Sequence, residues 1–145
     1  MDYHIIDCVL SSDTLNANEA ARRAQALIDA DIMSKTDLLQ AFTRVSNMIK
    51  GADDTDVDPD LFETDEERAL YSACQAMQVN LSQQYAVYDY QSVADILSEG
   101  IAVINEFLDN VLVMHKDEAV KENRLHLLAL TYSLIQPLGD IKKLS

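Results

Sequence analysis

Leu38, Phe42, Val45 and Ile49 recur at intervals of four, three and four residues. That spacing puts every apolar side chain on one face of an α-helix. The same period returns along most of the chain. Ala20, Ala24, Leu27 and Ile28 share a face, as do Leu70, Cys74, Met77 and Leu81. Val93, Ile96/Leu97, Gly100, Ile104, Phe107 and Val111 make a longer stripe, and Leu125, Leu128, Tyr132, Ile135 and Leu138 a last one. A short stripe of Ile5, Ile6, Val9 and Leu10 lies near the start. No stretch sustains the two-residue alternation of a strand. Three Gly and two Pro in 145 residues leave few places for tight hairpin turns. With 48% hydrophobic residues there is apolar material for one core. The expected fold is an all-α helical bundle of five to seven helices, with residues 1–145 as a single domain.

Polar residues at the stripe ends mark the helix boundaries. Asn16 with Glu19 and Thr64 with Glu67 have the capping-box spacing, and Thr36 and Asp89 are placed as further caps. Gly51 is placed to end the helix over residues 38–49, and Pro137 with Gly139 to end the last. Gly100 falls in mid-helix, where it is weaker than Ala by ~1 kcal/mol and leaves room for another helix to approach. Residues 52–62 read as a loop. From Asp53 to Glu67 there are nine acidic residues and no base. Asp56, Asp58, Asp60 and Glu67 mimic the spacing of an EF-hand, but Leu61 stands where that loop needs Gly. A solvated acidic loop is therefore expected rather than a calcium site. A charged segment from His115 to Glu122 hands one helix over to the next. Phe107 to Met114 before it and Leu125 to Leu128 after it are expected in the core.

The formal net charge of -14 repels nucleic acid from the molecule as a whole, so any RNA contact needs a local basic patch. Arg22 and Arg23 read as solvated surface charges. Arg44 lies beside an apolar face with Asn47 as its neighbour three residues on, and either pairs with a residue such as Asp109 or meets RNA. Lys116, Lys121 and Arg124 gather at the handover, and Lys142 and Lys143 at the tail. These are the RNA-facing candidates. Helix-end and surface charge is the alternative, and for Arg124 a structural pair. Asp109, Asn123 and Arg124 are expected to form or flank a hydrogen-bonded junction between the last two long helices. Tyr85, Tyr88 and Tyr90 form a cluster suited to packing or to base stacking.

Catalytic patterns are lacking. The three glycines are isolated, so there is no phosphate-binding loop. His4, His115 and His126 form no metal-ligand pattern, and His4 with Cys8 supplies too few ligands for zinc. Cys8 and Cys74 read as reduced core thiols. No apolar run approaches the ~20 residues of a membrane span, and no secretory pattern is seen, so a cytoplasmic location is expected.

Several of these residues stand in a familiar order. Arg44-Val45-Ser46-Asn47-Met-Ile resembles the Arg-Val-Xaa-Asn-Ile helix in the C-terminal region of the bacterial glycyl-tRNA synthetase beta subunit. Val57-Asp-Pro-Asp-Leu-Phe62 and then Glu67-Arg-Ala-Leu-Tyr71 continue in that family's order. Phe107 to Met114 resembles its Phe-Phe-Asp-Xaa-Val-Met-Val-Met segment, with Leu108 for the second Phe and Leu112 for the first Met. Asn123-Arg124-Leu125 with Leu127-Leu128 resembles its Asn-Arg-Leu-Xaa-Leu-Leu, and Asp140-Ile-Lys-Lys-Leu its usual ending. The resemblance implies a DALR-type anticodon-binding domain, similar to that of arginyl-tRNA synthetase. It implies a non-catalytic C-terminal piece of a longer subunit, supporting ATP-dependent glycylation of tRNA(Gly) catalysed elsewhere in the enzyme. The implied partners are tRNA(Gly), the rest of the beta subunit and the alpha subunit, with no membrane. No cofactor is expected in this domain, ATP being used by the parent enzyme. The competing expectation is an acidic helical protein-interaction module with no RNA role. One basic groove near residues 116–124 would favour RNA, and uniform acidity with an exposed apolar face a protein partner.

Overall fold

The apolar stripes become six α-helices in a computed structural model, which describes residues 17–139 and residue 141. They are α1 (Ala17–Asp29), α2 (Thr36–Ile49), α3 (Asp65–Ala86), α4 (Tyr90–Ser98), α5 (Ile101–Asn110) and α6 (Glu118–Ser133). Single 3₁₀ turns occur at Ile32–Ser34, Pro59–Leu61 and Gln136–Leu138. No strand occurs among the described residues. The N-terminal stripe, the Asn16 cap, His4, Cys8, Lys142 and Lys143 lie outside them.

The long α3 packs against α4, α5 and α6, while α2 packs chiefly against α6 and α5, and α1 rests on α4. Phe42, Leu70, Leu97, Ile104, Phe107, Leu127, Leu128 and Ile135 meet in a single core and are fully buried. Each such side chain contributes ~1.5–3 kcal/mol relative to an exposed one. The tail also docks, since Ile141 is fully buried.

Two caps form as the sequence suggests. The Thr64 hydroxyl accepts from the Glu67 N–H (3.2 Å) while Glu67 accepts from the Thr64 N–H (3.1 Å). Asp89 accepts from the Ser92 N–H at the start of α4. Thr36 makes no cap bond and is itself the first residue of α2. At the end of α2, Lys50 takes the left-handed conformation (φ 51) ahead of Gly51 (φ 84).

Three boundaries differ from expectation. The stripe through Gly100 is not one helix, because α4 ends at Ser98 and α5 begins at Ile101. The close approach inferred for Gly100 is present, since a Cβ there would lie 2.8 Å from Met77 Cε of α3. The charged segment before Leu125 is not all connection: Asp117 accepts from the Ala119 N–H (2.9 Å), so α6 starts at Glu118. Finally, α5 stops at Asn110 and Val111 is extended (φ -104, ψ 127). Side chains of an extended segment alternate. Val111 and Val113 are buried, but Leu112 (66% exposed) and Met114 (62%) face solvent, contrary to a uniformly buried 107–114.

Candidate nucleic-acid interface

Arg124, on the buried side of α6, reaches three parts of the chain. Its Nη1 donates to the Leu112 carbonyl (2.6 Å), and its Nη2 to the carboxylates of Glu67 (3.0 Å) and Glu63 (3.3 Å). The Glu67 oxygen that it meets also accepts from the N–H groups of Glu63 and Thr64 and from the Thr64 hydroxyl. Burial alone would raise the Glu67 carboxyl. The hydrogen bonds from Arg124, the Glu63 N–H and Thr64 together outweigh it and hold the carboxyl below its usual range. The Arg124 side chain is 4% exposed and that of Glu67 0%. This guanidinium therefore ties α6 to the start of α3 and to the 111–114 segment. Of the two expectations for Arg124, this is the structural pair.

Its neighbour Asn123 is buried as well. Its Oδ1 accepts from the Asp58 N–H (2.7 Å) and its Nδ2 donates to the Asp58 carbonyl (2.9 Å). Both hydrogen-bonding groups of one loop residue are satisfied by one side chain. His126 Nδ1 lies 2.8 Å from the Asp56 carbonyl, so α6 holds the acidic loop at two points. His115 Nε2 lies 3.2 Å from Glu63.

Arg44 bridges α2 to α5. Its Nη2 donates to Asp109 (2.7 Å) and its Nη1 to Asn105 (2.9 Å). Of the two expectations for Arg44, this is the pairing with Asp109. The side chains are 45% and 62% exposed, so solvent screens the pair. Asp109, Asn123 and Arg124 thus make three separate links rather than one junction, and Asp109 turns to α2 instead of α6. Asn47 is exposed and has no side-chain hydrogen bond among the described residues, so it is no junction residue.

The other cations do not form a basic groove. Lys116 is exposed, and Lys121 is half-buried with its Nζ 3.8 Å from Glu118. Asp117, Glu118 and Glu122 stand exposed beside them. With Arg124 turned inward, no continuous basic strip runs along 116–124.

A different surface joins Arg22 and Arg23 of α1 to the cluster of Tyr85, Tyr88 and Tyr90. Arg23 is buried, and its Nε donates to the Tyr90 hydroxyl (3.1 Å). The expectation of a solvated Arg23 fails, and a signal for this existed: position 23 is three beyond Ala20 and four before Leu27, on the inward face. Arg22 lies with its guanidinium 4.7 Å from the centre of the Tyr88 ring. The Tyr85 and Tyr90 rings meet edge to face at 6.0 Å, and Tyr88 is 6.1 Å from Tyr90. Burial foremost, and Tyr90 beside it, push the Tyr85 phenol far up, and its hydroxyl donates to the Leu134 carbonyl (2.5 Å). Between α1 and the α3–α4 turn, Arg22, Tyr88 and their neighbours border an open cavity of about 310 Å³.

Cys74 offers no reactive thiol. Burial pushes it up to about 11, against a hydrogen-bond contact with Thr131 at 3.3 Å.

Comparison with known proteins agrees with this architecture. The chain is 32% identical to a glycine–tRNA ligase beta subunit of Desulforudis audaxviator, over 99% of this chain and 21% of that protein. It is 36% identical to that of Thermodesulfovibrio yellowstonii, over 72% of this chain and 15% of the relative. For Clostridioides difficile the figures are 30%, 98% and 21%. The chain thus spans about a fifth of the length of the relatives that it matches along nearly all of its own. Residues 38–141, from α2 to the docked tail, match the family described as the DALR anticodon binding domain. The chain belongs to the DALR anticodon binding domain family.

Proposed function

We propose that this chain binds the anticodon region of tRNA(Gly) as the anticodon-binding part of a glycine–tRNA ligase beta subunit. Attachment of glycine with ATP then takes place elsewhere in the assembled enzyme, and this part contributes recognition without catalysis. Its partners are the rest of the beta subunit and the alpha subunit, in the cytoplasm. The observation supporting this is the family match over residues 38–141, the span that builds α2 to α6. No described helix is long and apolar enough to cross a membrane.

The geometry divides the candidate residues by role. Arg124 and Asn123 hold the scaffold. Arg44 braces α2 against α5, and Lys116 and Lys121, with Lys142 and Lys143 of the tail, position phosphates. These cations are few and interspersed with carboxylates, so sequence-independent attraction is weak. Recognition of unstacked loop bases must supply much of the discrimination. A protein-interaction role without RNA finds no support in the family match.

Binding by the intact alpha–beta enzyme tests the proposal. tRNA(Gly) is compared with the same tRNA carrying a swapped anticodon, at low and moderate salt. The swapped tRNA should bind more weakly. Lys116→Ala and Lys121→Ala should weaken both tRNAs alike and each lower the salt slope by about one. Equal affinity for the two tRNAs would sink the proposal.

A further inference from the structure

We propose that Tyr88 and Arg22 form a stacking platform for one unpaired nucleobase. Asp29 and Gln25 beside them then accept from that base's exocyclic amino group. This rests on the RNA-binding function above and adds to it a site whose α1 half, Arg22 to Asp29, precedes the family-matched span.

Four observations converge on the cavity between α1 and the α3–α4 turn. Its volume of about 310 Å³ stands at the small end of ligand clefts, enough for one base and too little for a duplex. Its wall carries a half-buried tyrosine ring with a guanidinium 4.7 Å from the ring centre. Aromatic and guanidinium planes are the surfaces on which splayed bases stack. The ring is held in place from below, since Tyr90 packs against it and is anchored by the buried Arg23.

Tyr88 also has φ 58. The left-handed region is rare for a bulky non-glycine residue, and such conformations concentrate at ligand sites. The ring lines the cavity and packs against the edge of the core.

The polar rim selects the ligand. Gln25 Nε2 donates to Asp29 Oδ1 (2.9 Å) on the exposed side of α1. Asp29 Oδ2 and Gln25 Oε1 accept no hydrogen bond among the described residues. Asp89, also on the rim, is engaged by the Ser92 N–H and hydroxyl. One cation against two carboxylates disfavours a phosphate. An acceptor-rich rim beside a stacking surface instead suits cytosine, adenine or guanine, whose amino groups donate, over uracil.

The test uses RNA hairpins of one stem, with loops of cytidines, adenosines or uridines, titrated against the intact alpha–beta enzyme at low salt. The wild-type enzyme should bind the cytidine and adenosine loops more tightly than the uridine loop. Tyr88→Asn removes the ring but keeps a residue that tolerates the left-handed backbone. It should weaken the amino-bearing loops roughly five- to a hundred-fold. Tyr88→Phe should retain wild-type affinity within about two-fold. Asp29→Asn should bring the cytidine and adenosine loops down to the uridine affinity while leaving the uridine loop unchanged, which loss of structure would not do. If folded Tyr88→Asn binds all loops like the wild type, the platform is wrong while anticodon binding stands. If the wild-type enzyme binds none of the hairpins while still discriminating the swapped-anticodon tRNA, the platform is wrong and anticodon binding stands; if it discriminates neither, both are wrong.

Discussion

Arg124→Met measures how much of the fold hangs on one guanidinium. The substitution keeps the length and apolar stem of the side chain and deletes its charge. Glu67 is then left 0% exposed with no cation beside it, and the Leu112 carbonyl loses its donor. Removing one partner of a buried ion pair costs about 3–5 kcal/mol, because the remaining charge stays desolvated. The discount for surface pairs does not apply to Arg124 and Glu67, although it does to the half-exposed Glu63. For a chain of this length the melting temperature should fall by roughly 10 °C or more. Replacing Glu67 by Met as well should recover most of the loss, short of ~1 kcal/mol for the α3 cap. Urea and thermal unfolding of the four proteins, followed by circular dichroism, gives the coupling directly. The pH dependence carries a sign. The folded state holds Glu67 below its ordinary value of 4.5, so the pair's contribution is complete above about that pH. It disappears as the pH falls through the folded-state value, and the gap between wild type and Arg124→Met should close with it. A loss below about 1 kcal/mol would refute the reasoning. So would an Arg124→Met protein that keeps its stability and loses RNA affinity.

Asn123→Leu should cost about 1–3 kcal/mol, since it leaves both backbone groups of Asp58 without their partners. Amide exchange over residues 54–61 should quicken, and unchanged protection would show that the loop is held otherwise. Asp109→Ala should cost less than about 1 kcal/mol, with an effect that shrinks as salt rises, because its pair with Arg44 is open to solvent. A larger, salt-independent loss would contradict that. In a Cys8→Ser background the Cys74 thiol, pushed up to about 11, should resist iodoacetamide at neutral pH until the chain unfolds. Labelling at the rate of a free thiol would overturn this.

What the sequence made legible was periodic or local. The stripe of Leu38, Phe42, Val45 and Ile49 faces the core as its spacing requires. The Thr64–Glu67 cap follows from two residues three apart. That the same carboxylate would also take a charge from 57 residues further along is a property of the packing, which periodicity does not encode. The Gly100 break is not legible in the sequence because an apolar period runs on unaltered through a short kink. The charge of Arg23 points to solvent while its position on the helix face points inward, and the position decides. Leu112 and Met114 were hidden in an apolar cluster whose alternation lasts only four residues. The cavity at Tyr88 needs a left-handed tyrosine, a conformation that the residue type itself disfavours and tertiary packing imposes.

Footprinting the tRNA in the assembled enzyme tests the central claim most directly. Hydroxyl-radical cleavage of tRNA(Gly), with cross-links from a photoreactive group placed at Lys116, reports which nucleotides this part of the enzyme covers. The account predicts protection of the anticodon loop and cross-links within or beside it. Protection confined to the acceptor stem, with no cross-link to the anticodon arm, would contradict it.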